Sequence, residues 1–253
     1  MGKLIKFELR KLIKSKAFYI ICAISIIFVF ITGLTLNLVN DIAKAQNLPV
    51  DDVNAYTFAK GALGGTFTIL IGIFIALFVC EDFSHGISKN VIAKGYSREK
   101  VLYSKYIVSL CATLVITILT VLVGYLYGGL AFKNFSTTDN IFVIYLGQFI
   151  GVIAYHALFF TLAYTIRRPG FAIAINVVAP VFFTLILTFV DTGLKNAKMN
   201  FTVSKYWLDN VFAVFTSANT NPDIIGQNIA FLVVYFAIGF VAGILINRKR
   251  EVK

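Results

Sequence analysis

Six stretches of this chain contain no Asp, Glu, Lys or Arg, and each is 20 to 27 residues long. About 20 apolar residues in a helix cross roughly 30 Å of hydrocarbon, so every stretch is long enough to span a membrane. With 58% hydrophobic residues, the pattern excludes a soluble globular domain and a disordered chain. We predict an all-α membrane protein with a single transmembrane domain over 1–253 and six spans: 17–40, 61–80, 106–132, 140–166, 169–190 and 224–247.

The charged residues are distributed unequally between the two ends of the predicted bundle. One end, called the basic end below, holds 17 basic and 5 acidic residues in four segments: 1–16, 81–105, 167–168 and 248–253. The opposite end holds 6 basic and 7 acidic residues in three segments: 41–60, 133–139 and 191–223. Because Lys and Arg are retained on the cytoplasmic side, we expect both termini to be cytoplasmic. The net charge of +11 is therefore a topology signal, and no nucleic-acid partner is expected.

Residues 3–16 have the pattern of an amphipathic helix, with basic residues on one side. Five apolar residues fall on the other side: Leu4, Ile5, Leu9, Leu12 and Ile13. Such a helix would lie in the headgroup layer and turn into the first span near Lys16, although a plain basic flank is an alternative. Because this long segment precedes a 24-residue apolar run, we expect the first span to be retained rather than cleaved.

Small residues and cysteines within the spans indicate how the helices pack. Glycines four residues apart let helix backbones approach closely in lipid, which predicts a compact bundle. Four such pairs occur: Gly61 with Gly65, Gly124 with Gly128, Gly147 with Gly151, and Gly239 with Gly243. The three cysteines are interpreted as free packing residues rather than disulfide partners or metal ligands: Cys22, Cys80 and Cys111.

The segment 191–223 is the longest connection at the opposite end, and it contains an apolar pattern. Leu208, Val211, Phe212 and Phe215 are spaced as on one face of a helix. We predict a short helix or helical hairpin that dips into the outer leaflet, followed by the last span. An aromatic belt at the membrane interface is the alternative.

The sequence offers little chemistry for catalysis. No span contains a carboxylate, and His-Glu-x-x-His, Gly-x-Ser-x-Gly and Gly-x-x-x-x-Gly-Lys-Ser/Thr patterns are absent. We therefore expect no catalytic, cofactor or metal site in this chain, and any ATP must be hydrolysed by another polypeptide. His156 is the candidate polar site of a pathway. A neutral imidazole bonded to a neighbouring hydroxyl or carbonyl is favoured there over a proton-sensitive site.

The segment 81–105 at the basic end has the pattern of a docking element. Ile87, Val91 and Ile92 form a short apolar face, and Gly95 is a good helix stop. Ser97 is a good N-cap for a helix that continues through Lys105 into the third span. An ordinary basic loop is the alternative.

The chain resembles the ABC-2-type permeases, which are membrane subunits of ATP-driven exporters. The resemblance lies in the segment Lys3 to Lys16, the six spans, the run from Glu81 to Val91, the Gly95-Tyr-Ser-Arg98 motif with Lys105, and the apolar insertion before the last span. Among these permeases the chain is most similar to the short Gram-positive type. That type is linked to bacitracin and lantibiotic resistance and to export of amphipathic toxins such as phenol-soluble modulins.

The resemblance implies an assembly and a division of roles. It implies a bacterial cell membrane, an N-terminal elbow helix, a coupling helix within 82–95 that docks on an ATPase, and re-entrant outer helices within 191–223. Two permease chains, identical or homologous, would surround the pathway above two ATPase chains that bind ATP and Mg. Candidate contacts to the ATPase are Phe83, His85, Ile87, Val91, Ile92 and Gly95. Candidates for transmission are Glu81, which matches the acidic residue that ends the second span in the family, Ser97 and Arg98.

We therefore expect a permease subunit that exports a hydrophobic or amphipathic substrate, such as a peptide toxin or antimicrobial. The uncharged spans, rich in Phe, Thr and Ser, suit such a guest and offer no ladder for ions. A sensor or immunity partner that binds peptide without transporting it is the alternative. An intramembrane enzyme is disfavoured because the spans lack carboxylates.

Overall fold

The computed structural model describes residues 1–46, 53–133, 135, 140–199, 201–217 and 222–249, and within these its regular elements are helical. The α-helices are α1 (Gly2–Lys14), α2 (Lys16–Ala45), α3 (Ala55–Gly61), α4 (Gly65–Ser84), α5 (Ile87–Ala93), α6 (Arg98–Phe132), α7 (Ile141–Ile166), α8 (Pro169–Asn196), α9 (Leu208–Thr216) and α10 (Pro222–Lys249). A 3₁₀ turn covers Ser204–Tyr206. Six of the helices are long and apolar enough to cross a membrane: α2, α4, α6, α7, α8 and α10. The predicted all-α class with six apolar helices is confirmed.

The second charge-free stretch, 61–80, is not a single helix. Asn54 and Thr57 form a capping box at the start of α3, in which Asn54 Oδ1 accepts from Thr57 N at 2.8 Å and Thr57 Oγ1 accepts from Asn54 N at 3.0 Å. The chain breaks after Gly61 and resumes as α4 at Gly65. The apolar helix is therefore displaced towards the basic end, and it includes residues 81–84.

Helix α7 lies at the centre of the bundle, in contact with α4, α6, α8, α9 and α10. The core between α4 and α7 is aromatic and fully buried at Phe74, Phe78 and Phe160. Helices α2, α8 and α10 bury few of their side chains within the chain, as expected for surfaces that face lipid or another chain. The cysteines are free: Cys80 is buried, Cys22 is half-buried and Cys111 is exposed.

Close helix contacts use three of the four predicted glycine pairs. A Cβ on Gly128 would lie 2.9 Å from Ala55 Cα, so α3 packs directly on the backbone of α6. A Cβ on Gly239 would lie 3.0 Å from the carbonyl carbon of Ala157, where α10 crosses α7. Gly147 and its partner on α7 accept aromatic rings from α9, as described below.

The prediction is wrong for Gly61 and Gly65, because they belong to different helices on either side of the break. A Cβ on Gly65 would meet no atom within 4 Å, whereas one on Gly61 would lie 3.8 Å from the Thr216 carbonyl oxygen. This pair lies at the break between α3 and α4 and does not bring two spans together.

The predicted short helix in the outer insertion is present as α9. The four apolar residues selected from its spacing are buried, and the rings of Phe212 and Phe215 occupy the surface over Gly151 and Gly147 of α7. Gln148 Nε2 donates to the Phe215 carbonyl oxygen at 2.9 Å and to a carbonyl oxygen of α3, also at 2.9 Å. The insertion is thus fixed to the bundle by packing and by one buried amide.

Candidate functional site

A buried carboxylate joins three helices at the basic end. Asp82, near the end of α4, is 1% exposed. Its Oδ1 accepts a hydrogen bond from Lys11 Nζ of α1, and its Oδ2 accepts one from Lys105 Nζ of α6. Both lysines form ion pairs with Asp82, and the Lys105 side chain is only 1% exposed. One side chain therefore holds together α1, α4 and α6.

An aromatic ring and a second acidic residue complete this arrangement. The Nζ atoms of Lys11 and Lys105 lie 5.1 and 5.6 Å from the centroid of the Phe78 ring, within the range of cation–π attraction. Glu8, one turn before Lys11, is also buried. Burial raises the pKa of the Glu8 carboxyl group, although Lys105 acts in the opposite direction. We call Glu8, Lys11, Asp82 and Lys105 the charge cluster.

Glu81, the acidic residue selected from the sequence, lies at the edge of the charge cluster. Its Oε2 is 3.7 Å from Lys11 Nζ, so its partner is in the N-terminal helix. The Glu81 side chain is 45% exposed, and exposed ion pairs contribute little. The strongly held carboxylate is the next residue, Asp82, which sequence reasoning missed.

The buried face of α1 differs from the predicted one. Leu4, Glu8 and Leu12 are buried, whereas Leu9 and Ile13 are exposed. The buried residues lie four apart, in a narrow stripe along which α1 packs against α6. Ile5 is half-buried against the core, whereas Phe7 is exposed like Leu9 and Ile13.

Two glycines shape the segment between α4 and α6. Gly86 and Gly95 have φ angles of +66° and +87°, a region that favours glycine, and they lie on either side of α5. The Gly95 N–H donates to the Ile92 carbonyl oxygen at 2.9 Å, so Gly95 ends α5 as predicted. The end of α4, α5 and the start of α6 therefore form a helical hairpin, called the hairpin below. The ion pair of Asp82 and Lys105 joins its two arms, α4 and α6.

The candidate ATPase contacts occupy two environments. Ile87, Val91 and Ile92 on α5 are half-buried, and Gly95 is exposed. Phe83 packs within the chain, with its ring centroid 5.2 Å from the Tyr164 ring and 5.1 Å from the guanidinium carbon of Arg167. His85 is exposed, and its Nδ1 lies 2.9 Å from the Glu81 carbonyl oxygen.

Ser97 and Arg98 lie at the start of α6, and both are exposed. Ser97 occupies the N-cap position with extended backbone, and its carbonyl oxygen accepts from Val101 N at 3.2 Å. Its side chain makes no capping hydrogen bond, so the predicted capping role is limited to the backbone.

A cavity of about 700 Å³ lies towards the opposite end, between α2, α6, α9 and the break from α3 to α4. Its walls combine apolar side chains with hydroxyl groups and with the glycines of the break. Among the described residues none that line the cavity is charged, and the hydroxyl-bearing ones are Ser25, Thr32, Thr57, Thr66, Thr120 and Thr216. Such a cavity suits an apolar guest with a few hydrogen-bonding groups.

His156 is completely buried in α7. Its Nε2 lies 2.9 Å from Ser109 Oγ of α6, and its Nδ1 has no partner among the described residues. The Tyr106 ring is 4.9 Å away at its centroid, and the Phe160 ring is stacked at 5.9 Å. The Ser109 hydroxyl is therefore the neighbouring hydroxyl that we expected for a neutral His156.

Comparison with protein-family models gives one match, to the ABC-2 family transporter proteins, over residues 4–191. This range includes α1, the hairpin and the complete charge cluster. The chain belongs to this family. No match was found among the curated proteins or among the solved structures.

The family makes this chain the membrane subunit of an ABC transporter and a multi-pass membrane protein. It implies an ABC ATPase as partner, with ATP hydrolysis normally located in a separate subunit. The charge cluster of this permease lies where helices α1, α4 and α6 meet the hairpin that connects two spans.

We expect His156→Gln to retain most transport at neutral pH. Glutamine keeps a hydrogen-bonding group for Ser109 but carries no titratable proton, so only an essential protonation step would be lost. The measurement is substrate flux at matched protein level, between pH 6 and pH 8. Complete loss of flux in a correctly assembled His156→Gln complex would show that His156 is a protonation site.

The charge cluster was missed because Glu8 and Lys11 were considered only as part of the amphipathic segment 3–16, and Asp82 and Lys105 only as part of the docking segment 81–105. A local signal does exist: Asp82 and Lys105 lie within two residues of the predicted spans 61–80 and 106–132. A charge directly at the end of a span can remain in the bundle and needs a partner there. Glu8 and Lys11 are three residues apart and so share a helix face.

Proposed function

We propose that this permease exports a hydrophobic or amphipathic substrate, with a peptide as the favoured class, across a bacterial cell membrane. ATP is hydrolysed with Mg in the partner subunits, which dock on α5 at the cytoplasmic side. Two permease chains, identical or homologous, surround the pathway. α1 acts as the elbow helix, and the outer insertion that contains α9 is re-entrant.

The observation that carries this proposal is the attachment of the hairpin to three helices. α5 connects α4 to α6, and these two helices are joined by the hydrogen bond from Lys105 to Asp82. Lys11 donates to the same carboxylate and so connects it to α1. Force applied to α5 therefore reaches α4 and α6 through a rigid contact. Both helices also line the 700 Å³ cavity, so a hairpin displacement has a direct route to the space for substrate.

The substrate class follows from the cavity and from the core. Hydroxyl groups without charged partners bind neither a metal ion nor a strongly charged solute well, whereas apolar walls favour burial of apolar surface. An amphipathic guest that enters from the bilayer satisfies both properties.

The orientation of the chain provides a first test. A cysteine introduced at Asn47 or Asn219, both outside the described residues, should react with an impermeant thiol reagent in intact cells, and one at Ser88 should not. The measurement is labelling with and without permeabilisation, in a background without the three native cysteines. The reverse pattern would place the hairpin outside and contradict its role in ATPase docking.

Substitutions on α5 test the docking itself. We expect Ile87→Asp and Val91→Asp to leave membrane insertion intact and to release the ATPase from the purified complex. Removing a buried apolar anchor from an interface commonly costs about 1 to 4 kcal/mol, and a charge adds a desolvation penalty. The measurement is the amount of ATPase that co-purifies with the permease.

Glu81→Gln is the matched comparison on the same segment. Because Glu81 faces Lys11 and not the α5 surface, this variant should bind the ATPase normally and couple hydrolysis to transport less well. Full ATPase recovery and normal flux with both aspartate variants would show that α5 is not the docking helix. Substrate-stimulated hydrolysis without any flux would favour the sensor alternative.

A further inference from the structure

A second pocket, of about 280 Å³, lies between α4, α7 and α8 under the outer insertion. Gly65 is the only residue among the described ones that lines both this pocket and the larger cavity. The walls are mainly apolar, formed by side chains such as Ile69, Phe159 and Val181. Four polar side chains interrupt this apolar lining: Thr68, Asn176, Thr184 and Asp209.

Asp209 is the second residue of α9, and its hydrogen-bond partners among the described residues are all neutral. Tyr155 of α7 donates its hydroxyl to Oδ1, and Trp207 Nε1 donates to Oδ2 at 3.0 Å. Thr184 Oγ1 of α8 lies 3.0 Å from Oδ2, but its single proton is also within reach of the Pro180 carbonyl oxygen at 2.9 Å. Among the described residues no Lys, Arg or His lies within ion-pair distance of Asp209.

Asn176 adds an unused acceptor to the same pocket. It is 1% exposed, and its Nδ2 donates to the Gly72 carbonyl oxygen at 3.0 Å. Its Oδ1 has no hydrogen-bond partner in the described part of the chain. Asn176 and Thr184, which contacts Asp209, are eight residues apart on α8, which corresponds to about 12 Å along the helix axis.

These observations define the chemistry of a ligand. A carboxylate in an apolar environment is costly unless a positive charge and donors accompany it. The polar atoms that lack full partners here are acceptors, so the missing group must be a donor, and a cation satisfies Asp209 best. The apolar walls between the acceptors require that the cation carries an apolar chain.

We propose that this pocket binds a cationic amphiphile, with a primary ammonium group at Asp209 and its apolar chain along α8 towards Asn176. The inference rests on the proposed export function and deepens it, because it assigns a charge to the substrate. Anionic amphiphiles of the same length are excluded from the site by the negative charge of Asp209.

Trp207 gives a direct measurement, because it is the only tryptophan in the chain and its indole N–H is bound to Asp209. The full-length permease in dodecyl maltoside is titrated with dodecylammonium while Trp207 fluorescence is recorded. We expect a saturable change with dodecylammonium and none with dodecyl sulfate. Asp209→Asn should weaken binding by about tenfold or more, as expected for loss of a charge-assisted bond.

Asp191→Asn is the matched control. Asp191 lies nearer the end of α8, where its carboxylate accepts from the backbone N–H groups of Val203 and Ser204 at 2.6 and 3.1 Å, and it does not line the pocket. This variant should bind dodecylammonium like the original chain. Addition of phosphatidylethanolamine identifies the source: competition assigns the site to a lipid ammonium, and no competition assigns it to a free amphiphile.

An equal response to dodecyl sulfate would overturn the proposal. So would unchanged affinity in a folded Asp209→Asn variant. The comparison of the two amphiphiles needs no variant, so the test remains decisive if Asp209→Asn fails to fold. Because the titration needs no ATPase, its failure is distinguishable from failure of ATPase docking on α5.

Discussion

Asp82→Asn should destabilise the permease by about 3 to 5 kcal/mol, because it removes the ion-pair partner of the buried Lys105 and leaves Lys11 with only the exposed Glu81. Lys105 cannot escape to water, since its side chain is 1% exposed, whereas Lys11 at 14% has some access. The expected result is a lower thermal midpoint of the purified protein. In a background with Cys22 and Cys111 replaced, a thiol-reactive dye reports unfolding as the buried Cys80 becomes accessible.

Two further variants distinguish the effect of the buried charge from a nonspecific loss of stability. Glu81→Gln removes a neighbouring negative charge that is largely exposed, and it should cost less than about 1 kcal/mol. Asp82→Asn combined with Lys105→Met removes both the carboxylate and the most deeply buried ammonium, so part of the stability should return. If Asp82→Asn melts at the temperature of Glu81→Gln, the charge cluster does not hold the three helices together.

The all-α class and the number of apolar helices could be predicted because the relevant signals are local. A charge-free run of 20 or more residues is visible without knowing what surrounds it, and so is the spacing of Leu208, Val211, Phe212 and Phe215. Glycine at a helix end is equally local, which is why Gly95 was recognised as the stop of α5. Gly86, which has the same backbone property, was not recognised.

The boundary of the second span was mispredicted because absence of charge says nothing about where a helix starts. The deciding signals lie upstream, in the capping box of Asn54 and Thr57, and in the glycines between 61 and 65. Gly61 and Gly65 were interpreted as a packing pair within one helix. In the structure they end one helix and start another.

The charge cluster could not be derived from local signals, because it depends on tertiary placement. Lys11 and Asp82 are 71 residues apart, and Asp82 and Lys105 are 23 residues apart. Each residue alone is compatible with a solvated basic flank. Only the packing of α1 and α4 against α6 distinguishes Asp82, which is buried, from Glu81, which is not.

The second large effect is expected where α9 packs on α7. Phe215 is 0% exposed, and removing a buried aromatic side chain commonly costs about 3 to 5 kcal/mol, so Phe215→Ala should strongly lower the thermal midpoint. Phe189→Ala on α8 is the matched control. Its side chain is 76% exposed, and its loss should change the midpoint little.

The geometry of this contact allows two substitutions that should partly compensate each other, Gly147→Val and Phe215→Ala. A Cβ on Gly147 would lie 2.2 Å from Cε1 of Phe215, so Gly147→Val alone must displace the ring and should also destabilise the protein. In the Phe215→Ala background the ring is gone, and the valine side chain occupies part of the space that it leaves. We therefore expect the double variant to be more stable than the sum of the single effects by more than about 1 kcal/mol. Strict additivity of the two midpoint shifts would show that Phe215 does not pack on Gly147, and α9 would then not be held against α7 at this position.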